Sequence, residues 1–138
     1  MNTLKKLQRV FKRNEGFSLI EIMIVVAIIG ILSAIVGPQL FNNINRADVT
    51  AAKNQIRNFE VALQNYVLEN KVYPSTEEGL QALVAGGYMR TIPKDPWKND
   101  YIYRSPGEGG REFDITSLGK DGRAGGESFD ADINSWEL

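Results

Sequence analysis

The sequence predicts an α+β fold in which one long N-terminal helix, half membrane-spanning and half amphipathic, packs on a small antiparallel sheet. Three observations predict it. An apolar run extends from Phe17 to Val36, and about 20 consecutive apolar residues are needed to span a bilayer as a helix. Apolar residues then recur at helical spacing between residues 52 and 67. Two short strand-like segments and a Gly- and Asp-rich C-terminal loop complete a domain of about 100 residues.

The composition narrows the classes of function. The 138 residues carry a formal net charge of −1 and include neither Cys nor His. A near-neutral chain is a poor partner for nucleic acid, which needs a clustered basic surface. Disulfides, His-ligated metal sites and nucleophiles activated by a histidine base are all excluded. We therefore expect a non-enzymatic protein.

The basic residues before the apolar run indicate the orientation of the chain in a membrane. Positive charge next to a membrane segment marks its cytoplasmic side, so the rest of the chain is predicted to lie outside the cytoplasm. The residues concerned are Lys5, Lys6, Arg9, Lys12 and Arg13. A secretory signal is cut after its apolar core, whereas here the plausible cut precedes it, so the core remains as an anchor.

Glu21 is the single ionisable residue in the apolar run. A carboxylate there costs about 2.5–3.5 kcal/mol on insertion scales, which points to a function and a partner. The junction Gly16-Phe17, followed by Glu21, resembles the processing signal of type IV pilins and related filament proteins. The resemblance implies a leader of residues 1–16, cleavage after Gly16 and N-methylation of Phe17.

The partner of Glu21 is predicted to be the α-amino group of a neighbouring subunit, because no other partner is evident in the sequence. Methylation keeps that amine cationic, and its approach to a buried carboxylate would set the axial register of a filament. The alternative is a carboxylate that snorkels to the membrane surface. The domain boundaries that follow are a transmembrane and filament-core helix over residues 17–49 and a periplasmic globular domain over residues 50–138.

The apolar helix meets a proline at Gly37-Pro38, where a kink or loosened turn is expected. Helices also often end before a proline. The apolar stripe beyond it favours continuation to about Glu69. That stripe comprises Ala52, Ile56, Phe59, Leu63, Tyr66 and Val67.

The remaining elements are short. A second helix is predicted to start over residues 74–78, where Ser75 and Glu78 have capping-box spacing, and to end at Gly86-Gly87. Residues 93–97 form a proline-rich turn. Residues 101–104 and 112–116 are predicted strands, joined by a hairpin loop over residues 106–110.

The C-terminal loop is rich in Asp and Gly, and two interpretations of it remain open. Such residues often form solvated turns, and Asp121 does not begin an EF-hand pattern. However, Ca²⁺ takes six to eight oxygen ligands, and glycines that fold the loop back would let its oxygens converge. Its candidate side chains are Asp121, Ser128, Asp130 and Asp132.

Several separate motifs resemble the major pseudopilins of type II secretion systems. They are the segments 73–83 and 93–97 and the string from Ser117 through Asp121-Gly122 to Asp130-Ala131-Asp132-Ile133 and Trp136. The resemblance implies a type IV pilin-like fold with a C-terminal calcium-type loop. It implies Ca²⁺ ligands at the Leu118 carbonyl and the side chains of Asp121, Ser128, Asp130 and Asp132. Relatives can have adjacent aspartates where Ala131 separates them here.

The same resemblance implies the function. The chain is expected to be a single-pass protein of the bacterial inner membrane that polymerises into a helical periplasmic filament and so pushes folded exoproteins across the outer membrane. Its expected partners are the prepilin peptidase, minor pseudopilins and the inner-membrane assembly platform. The alternatives are a major type IV pilin that builds a surface filament and a membrane-anchored periplasmic binding protein.

Overall fold

The computed structural model describes residues 16–138, so the predicted leader lies outside the described residues except for Gly16. One α-helix, α1, extends from Leu19 to Asn70. Packing divides the chain into two units, one ending at Leu40 and one comprising Phe41–Leu138. The predicted division at residues 49 and 50 stays a prediction.

The first part of α1 has the length and composition of a membrane span. An 18-residue window reaches a mean hydropathy of 2.9, and none of it is buried within the chain. Pro38 lies inside the helix, which continues past it without interruption. The prediction of a continuing helix is therefore confirmed, and the alternative end before Pro38 is wrong. The expected loosening does not break the helix in the single chain.

The second part of α1 buries one face, because its apolar residues recur every three or four positions. Four residues of the predicted stripe are fully buried: Ala52, Ile56, Phe59 and Leu63. Tyr66 and Val67 are half-buried. Ala62 is also buried, although the predicted stripe did not include it.

The second helix, α2, is shorter than predicted and comprises only Gln81–Ala85. The predicted capping box is present, since the Ser75 amide donates to Glu78 Oε2 at 2.8 Å and the Glu78 amide donates to Ser75 Oγ at 3.2 Å. It closes only a turn, because Gly79 follows at φ 62° and breaks the helical path. The predicted end is confirmed, with Gly86 as the C-cap and Gly87 at φ 79°.

A three-stranded antiparallel sheet packs against α1, in the order β1-β2-β3. Its strands are β1 Ile102–Arg104, β2 Asp114–Ser117 and β3 Ile133–Asn134. Tyr103 pairs with Ile115, and Ser117 pairs with Ile133. The two predicted strands are confirmed within two residues at their ends. The third was missed because two residues carry no readable alternation.

Aromatic side chains join the sheet to α1. The rings of Phe59 and Tyr101 meet edge to face with centroids 5.1 Å apart, and the Tyr101 hydroxyl donates to Gln55. The Tyr103 hydroxyl donates to the Pro74 carbonyl at 2.8 Å, and burial raises the pKa of Tyr103 to about 12. Both hydroxyls are thus satisfied, as buried polar groups require.

Candidate functional site

The predicted cleavage junction precedes α1. Gly16, Phe17 and Ser18 are outside the helix and exposed, and Phe17 retains 83% of its accessible surface. A protease needs an accessible backbone outside regular structure, and residues 16–18 are exposed and non-helical. This placement is compatible with cleavage between Gly16 and Phe17, which stays a prediction.

Glu21 and Ser18 form a reciprocal capping box at the start of α1. The Ser18 amide donates to Glu21 Oε2 at 2.7 Å, and the Glu21 amide donates to Ser18 Oγ at 3.3 Å. These bonds occupy N-terminal amides that a helix leaves unpaired. Glu21 therefore has a hydrogen-bond partner within its own chain that was not evident in the sequence, and its predicted contact with the amine of a neighbouring subunit stays a prediction. The Ser-x-x-Glu spacing that predicted the Ser75 cap occurs at Ser18 too, and it is the signal in the sequence for this second cap.

The C-terminal loop folds back on itself because its glycines adopt backbone conformations that other residues rarely take. Gly119 has φ 69°, and a Cβ there would lie 2.6 Å from the Ala131 carbonyl oxygen. Gly126 has φ 92°, and a Cβ there would lie 2.4 Å from the Asp130 carbonyl oxygen. The Lys120 amide donates to the Phe129 carbonyl at 3.1 Å. The two arms of the loop are therefore held in contact, as the predicted site requires.

Asp132 is the carboxylate best placed for a cation. Its Oδ2 accepts a hydrogen bond from the Gly125 amide at 3.0 Å, while its Oδ1 is buried without a hydrogen-bond partner. A buried, unpaired carboxylate oxygen is costly. An oxygen-coordinated cation is one way to remove that cost, so this atom fits a Ca²⁺ site.

Two of the other predicted ligands share a cavity with Asp132, and two do not. Leu118 lines a cavity of about 410 Å³ together with Asp132, and Ser128 lines a cavity of about 170 Å³ that Asp132 also reaches. Asp121 accepts a hydrogen bond from the Arg123 amide at 3.0 Å. Asp130 and Asp121 are exposed and line neither cavity.

The carboxylates themselves are not gathered. Among residues 16–138, no group of three or more acidic side chains is close enough to hold a metal ion. Leu118 and Ser128 each line a cavity together with Asp132, whereas Asp121 and Asp130 line neither. The unpaired Oδ1 of Asp132 is therefore the one ligand atom that the described conformation leaves open, and coordination by all five predicted ligands requires the loop to rearrange.

A buried polar pair anchors the base of the loop, and the sequence analysis missed it. Ser117 Oγ donates to Asp95 Oδ2 at 2.8 Å, and both side chains are buried. Asp95 Oδ1 accepts from the amides of Trp97 and Asn99 at 3.0 and 2.8 Å. The predicted turn at residues 93–97 thus fixes the end of β2, from which the loop departs. An Asp within a Pro-x-x-Pro turn was the available signal.

The fold and the N-terminal junction together define a type IV pilin-like protein. The family described as "Type II secretion system (T2SS), protein G" matches residues 39–136, and the "Prokaryotic N-terminal methylation motif" matches residues 11–37. The chain belongs to the type II secretion system protein G family.

Relatives and a solved structure agree with that assignment. Type II secretion system core protein G of Vibrio cholerae is 45% identical, over 92% of this chain and 94% of the relative. The protein of the same name from Pseudomonas aeruginosa is also 45% identical, over 91% of this chain and 97% of the relative. The crystal structure of the major pseudopilin from the type 2 secretion system of enterohaemorrhagic Escherichia coli superposes with a TM-score of 0.61 at 36% identity, covering 73% of this chain and 96% of that one. These matches support the predicted pseudopilin over the alternative type IV pilin.

Proposed function

We propose that this chain is the major pseudopilus subunit that is cleaved between Gly16 and Phe17, stored in the inner membrane, and then polymerised with Ca²⁺ bound to its C-terminal loop. The observation that carries the proposal is the order of parts in one chain. An exposed junction within a methylation motif precedes an exposed apolar helix, and a domain of the protein G family follows.

The membrane placement follows from charge and hydropathy. The basic residues before Gly16 would stay in the cytoplasm, and α1 would cross the inner membrane once. The domain from about residue 50 to Leu138 would then lie in the periplasm. A membrane peptidase of the prepilin type would reach the junction from the cytoplasmic face and leave Phe17 as the methylated N-terminus.

Assembly would bury the apolar surface of α1 between subunits. Large apolar side chains from Leu19 to Val36 are 47–79% exposed in the single chain, and outside a bilayer that surface needs a cover of like chemistry. Packing of many α1 helices would supply it as a filament core. The Phe17 amine of one subunit would then approach Glu21 of a neighbour, after Glu21 releases the Ser18 amide.

The role of the subunit would be structural. Extension of the filament would move folded exoproteins through an outer-membrane pore, with minor pseudopilins at one end and an assembly platform in the inner membrane at the other. No catalytic step is assigned to any residue of this chain.

Calcium would complete the C-terminal loop. The ligands would be the Leu118 carbonyl and the side chains of Asp121, Ser128, Asp130 and Asp132. The unpaired Oδ1 of Asp132 supports this set, since a divalent cation would satisfy that oxygen and offset repulsion among the carboxylates. Calcium would supply no chemistry beyond holding the loop closed.

Intact-mass measurement and N-terminal sequencing of the protein from its host test the processing step. We expect a mature chain that begins at Phe17 with one added methyl group. Protease added to spheroplasts should digest the domain from about residue 50 to Leu138 and spare the membrane segment. Assembled filaments that retain residues 1–16 would contradict the proposal.

A further inference from the structure

We propose that the loop from Leu118 to Asp132 clamps the α1 segment Asn45–Thr50 and thereby sets the point up to which α1 unwinds from its N-terminal side. The dependence of this clamp on Ca²⁺ rests on the calcium site proposed above. The clamp itself rests on contacts within the unit Phe41–Leu138.

Burial along α1 defines where the domain begins to support the helix. Residues 41–44 are all exposed, and Phe41 and Ile44 retain 70% and 49% of their accessible surface. Asn45 is the first partly covered residue of this unit. Ala52 is the first that is fully buried. The two turns of α1 between Asn45 and Ala52 therefore depend for their stability on the residues that pack beside them.

The C-terminal loop lies beside those two turns, whose partly covered residues are Asn45, Asp48 and Val49. Lys120 Nζ donates to Asn45 Oδ1 at 3.2 Å. Ser128 and Phe129, from the other arm of the loop, face α1 across a cleft of about 400 Å³ whose α1 side is formed by Arg46, Val49 and Thr50. Val49 also packs on the hydrophobic core. One arm of the loop therefore bonds this segment of α1, and the other faces it across the cleft.

The two arms act together because they are joined. The Lys120 amide donates to the Phe129 carbonyl, so the residue that contacts Asn45 is bonded to the residue that faces Val49. The proposed ligands Asp121 and Ser128 adjoin these two residues in sequence. A cation that draws the arms together would fix both contacts on α1 at once.

Helix stability in proteins comes mainly from packing and not from intrinsic propensity, and weakly packed segments open locally at low free-energy cost. Pro38 leaves α1 without one backbone hydrogen bond just before this region. With the clamp closed, unwinding that starts near Pro38 stops at Asn45. With the clamp open, it continues to Ala52, where full burial begins.

Hydrogen–deuterium exchange of the full mature chain in detergent, followed by mass spectrometry, tests this. We expect peptides covering residues 45–51 to exchange about tenfold faster in EDTA than in Ca²⁺. Peptides covering the buried residues from Ile56 to Leu63 should not change, which also shows that the domain is folded.

Variants separate the clamp from the calcium site. In Ca²⁺, Phe129→Ala should accelerate exchange of residues 45–51 while the melting temperature still rises when Ca²⁺ is added. Lys120→Ala should also accelerate exchange of residues 45–51, to a smaller extent. It replaces Phe129→Ala in the test if that variant fails to fold. Lys94→Ala is the matched control, because Lys94 pairs with Asp100 and belongs to neither the loop nor α1, and it should leave this exchange unchanged.

The outcomes distinguish the two proposals. Equal exchange of residues 45–51 in wild type and in both loop variants, with a melting temperature that still responds to Ca²⁺, would overturn the clamp and leave the calcium site standing. Faster exchange in the variants, with no melting response to Ca²⁺ in wild type, would support the clamp and overturn the calcium site.

Discussion

Ser117 Oγ donates a hydrogen bond to Asp95 Oδ2 across 2.8 Å, and both residues are almost completely buried. This bond ties the turn before β1 to the last residue of β2, where the C-terminal loop begins. A buried hydrogen bond to a charged group contributes about 1.5–3 kcal/mol to stability. If the acceptor is removed, the buried donors are left unpaired, which costs further free energy. The pair is therefore a sensitive point for the stability of the domain.

Asp95→Ala should destabilise the folded domain by about 3 kcal/mol, because three donors lose their acceptor at once. Urea denaturation of the fragment 41–138 measures it. The buried residues of the described chain lie between Ala52 and Ser135, so this fragment keeps the core and should fold as a monomer. Asp100→Ala is the control, since that side chain is 84% exposed and its loss should change the free energy of unfolding little.

Ca²⁺ should raise the melting temperature of the same fragment, and EDTA should lower it. A ligand that binds only the folded state adds about 2.7 kcal/mol at 100 times its Kd, which is a shift on the order of 10 °C for a domain of this size. Mg²⁺ should substitute poorly, because it demands a smaller, octahedral site.

Asp132→Ala and Asp121→Ala should abolish this response, and Asp100→Ala should preserve it. Differential scanning calorimetry of the variants in both conditions provides the comparison. Melting curves of the wild-type fragment that coincide in EDTA and in millimolar Ca²⁺ would contradict the calcium site. The loop would then be held by packing alone.

Glu21→Ala should leave the subunit cleaved and membrane-inserted, because it makes the span more apolar, and should prevent ordered filaments. Electron microscopy of filaments and a secretion assay in the host measure the result. Ser18→Ala is the informative comparison, since it removes the hydroxyl half of the capping box and keeps the carboxylate. We expect Ser18→Ala subunits to assemble, and normal filaments from Glu21→Ala would refute the register role.

Acid should destabilise the domain partly through Asp114. The hydrogen bond from Arg111 lowers the pKa of this carboxyl, against the opposing effect of burial. A lowered folded-state pKa contributes stability that is present above the unfolded value, near 3.9, and is lost as the pH falls through the folded value. Arg111→Gln should therefore move the acid-unfolding midpoint, followed by circular dichroism, to higher pH. Lys94→Gln should leave the midpoint in place.

Residues just after Gly37-Pro38 should lose regular helical hydrogen bonding in the assembled filament. Pro38 supplies no amide to the helix, and residues 41–44 are exposed in the single chain. A filament map from electron cryomicroscopy checks this directly. Density for unbroken α-helix from Leu19 to Asn70 in the filament would show that the single-chain conformation persists on assembly.

The sequence by itself determined the features that local chemistry controls. The apolar run and the stripe over residues 52–67 determined that α1 continues past Pro38, because burial of the periodic apolar face stabilises the helix by more than the one missing hydrogen bond costs. Ser75 and Glu78 determined their cap, and alternating residues determined β1 and β2. The order of junction, apolar helix and domain motifs also indicated the family.

Only the tertiary structure decided the features that depend on residues far apart in the chain. β3 exists because Ile133 and Ser117 are paired across the loop, and two residues carry no pattern of their own. The bond between Ser117 and Asp95 joins positions 22 residues apart. The bond between Lys120 and Asn45 joins positions 75 residues apart. Such contacts form because burial brings distant polar groups together and then requires each to find a partner, which no local pattern records.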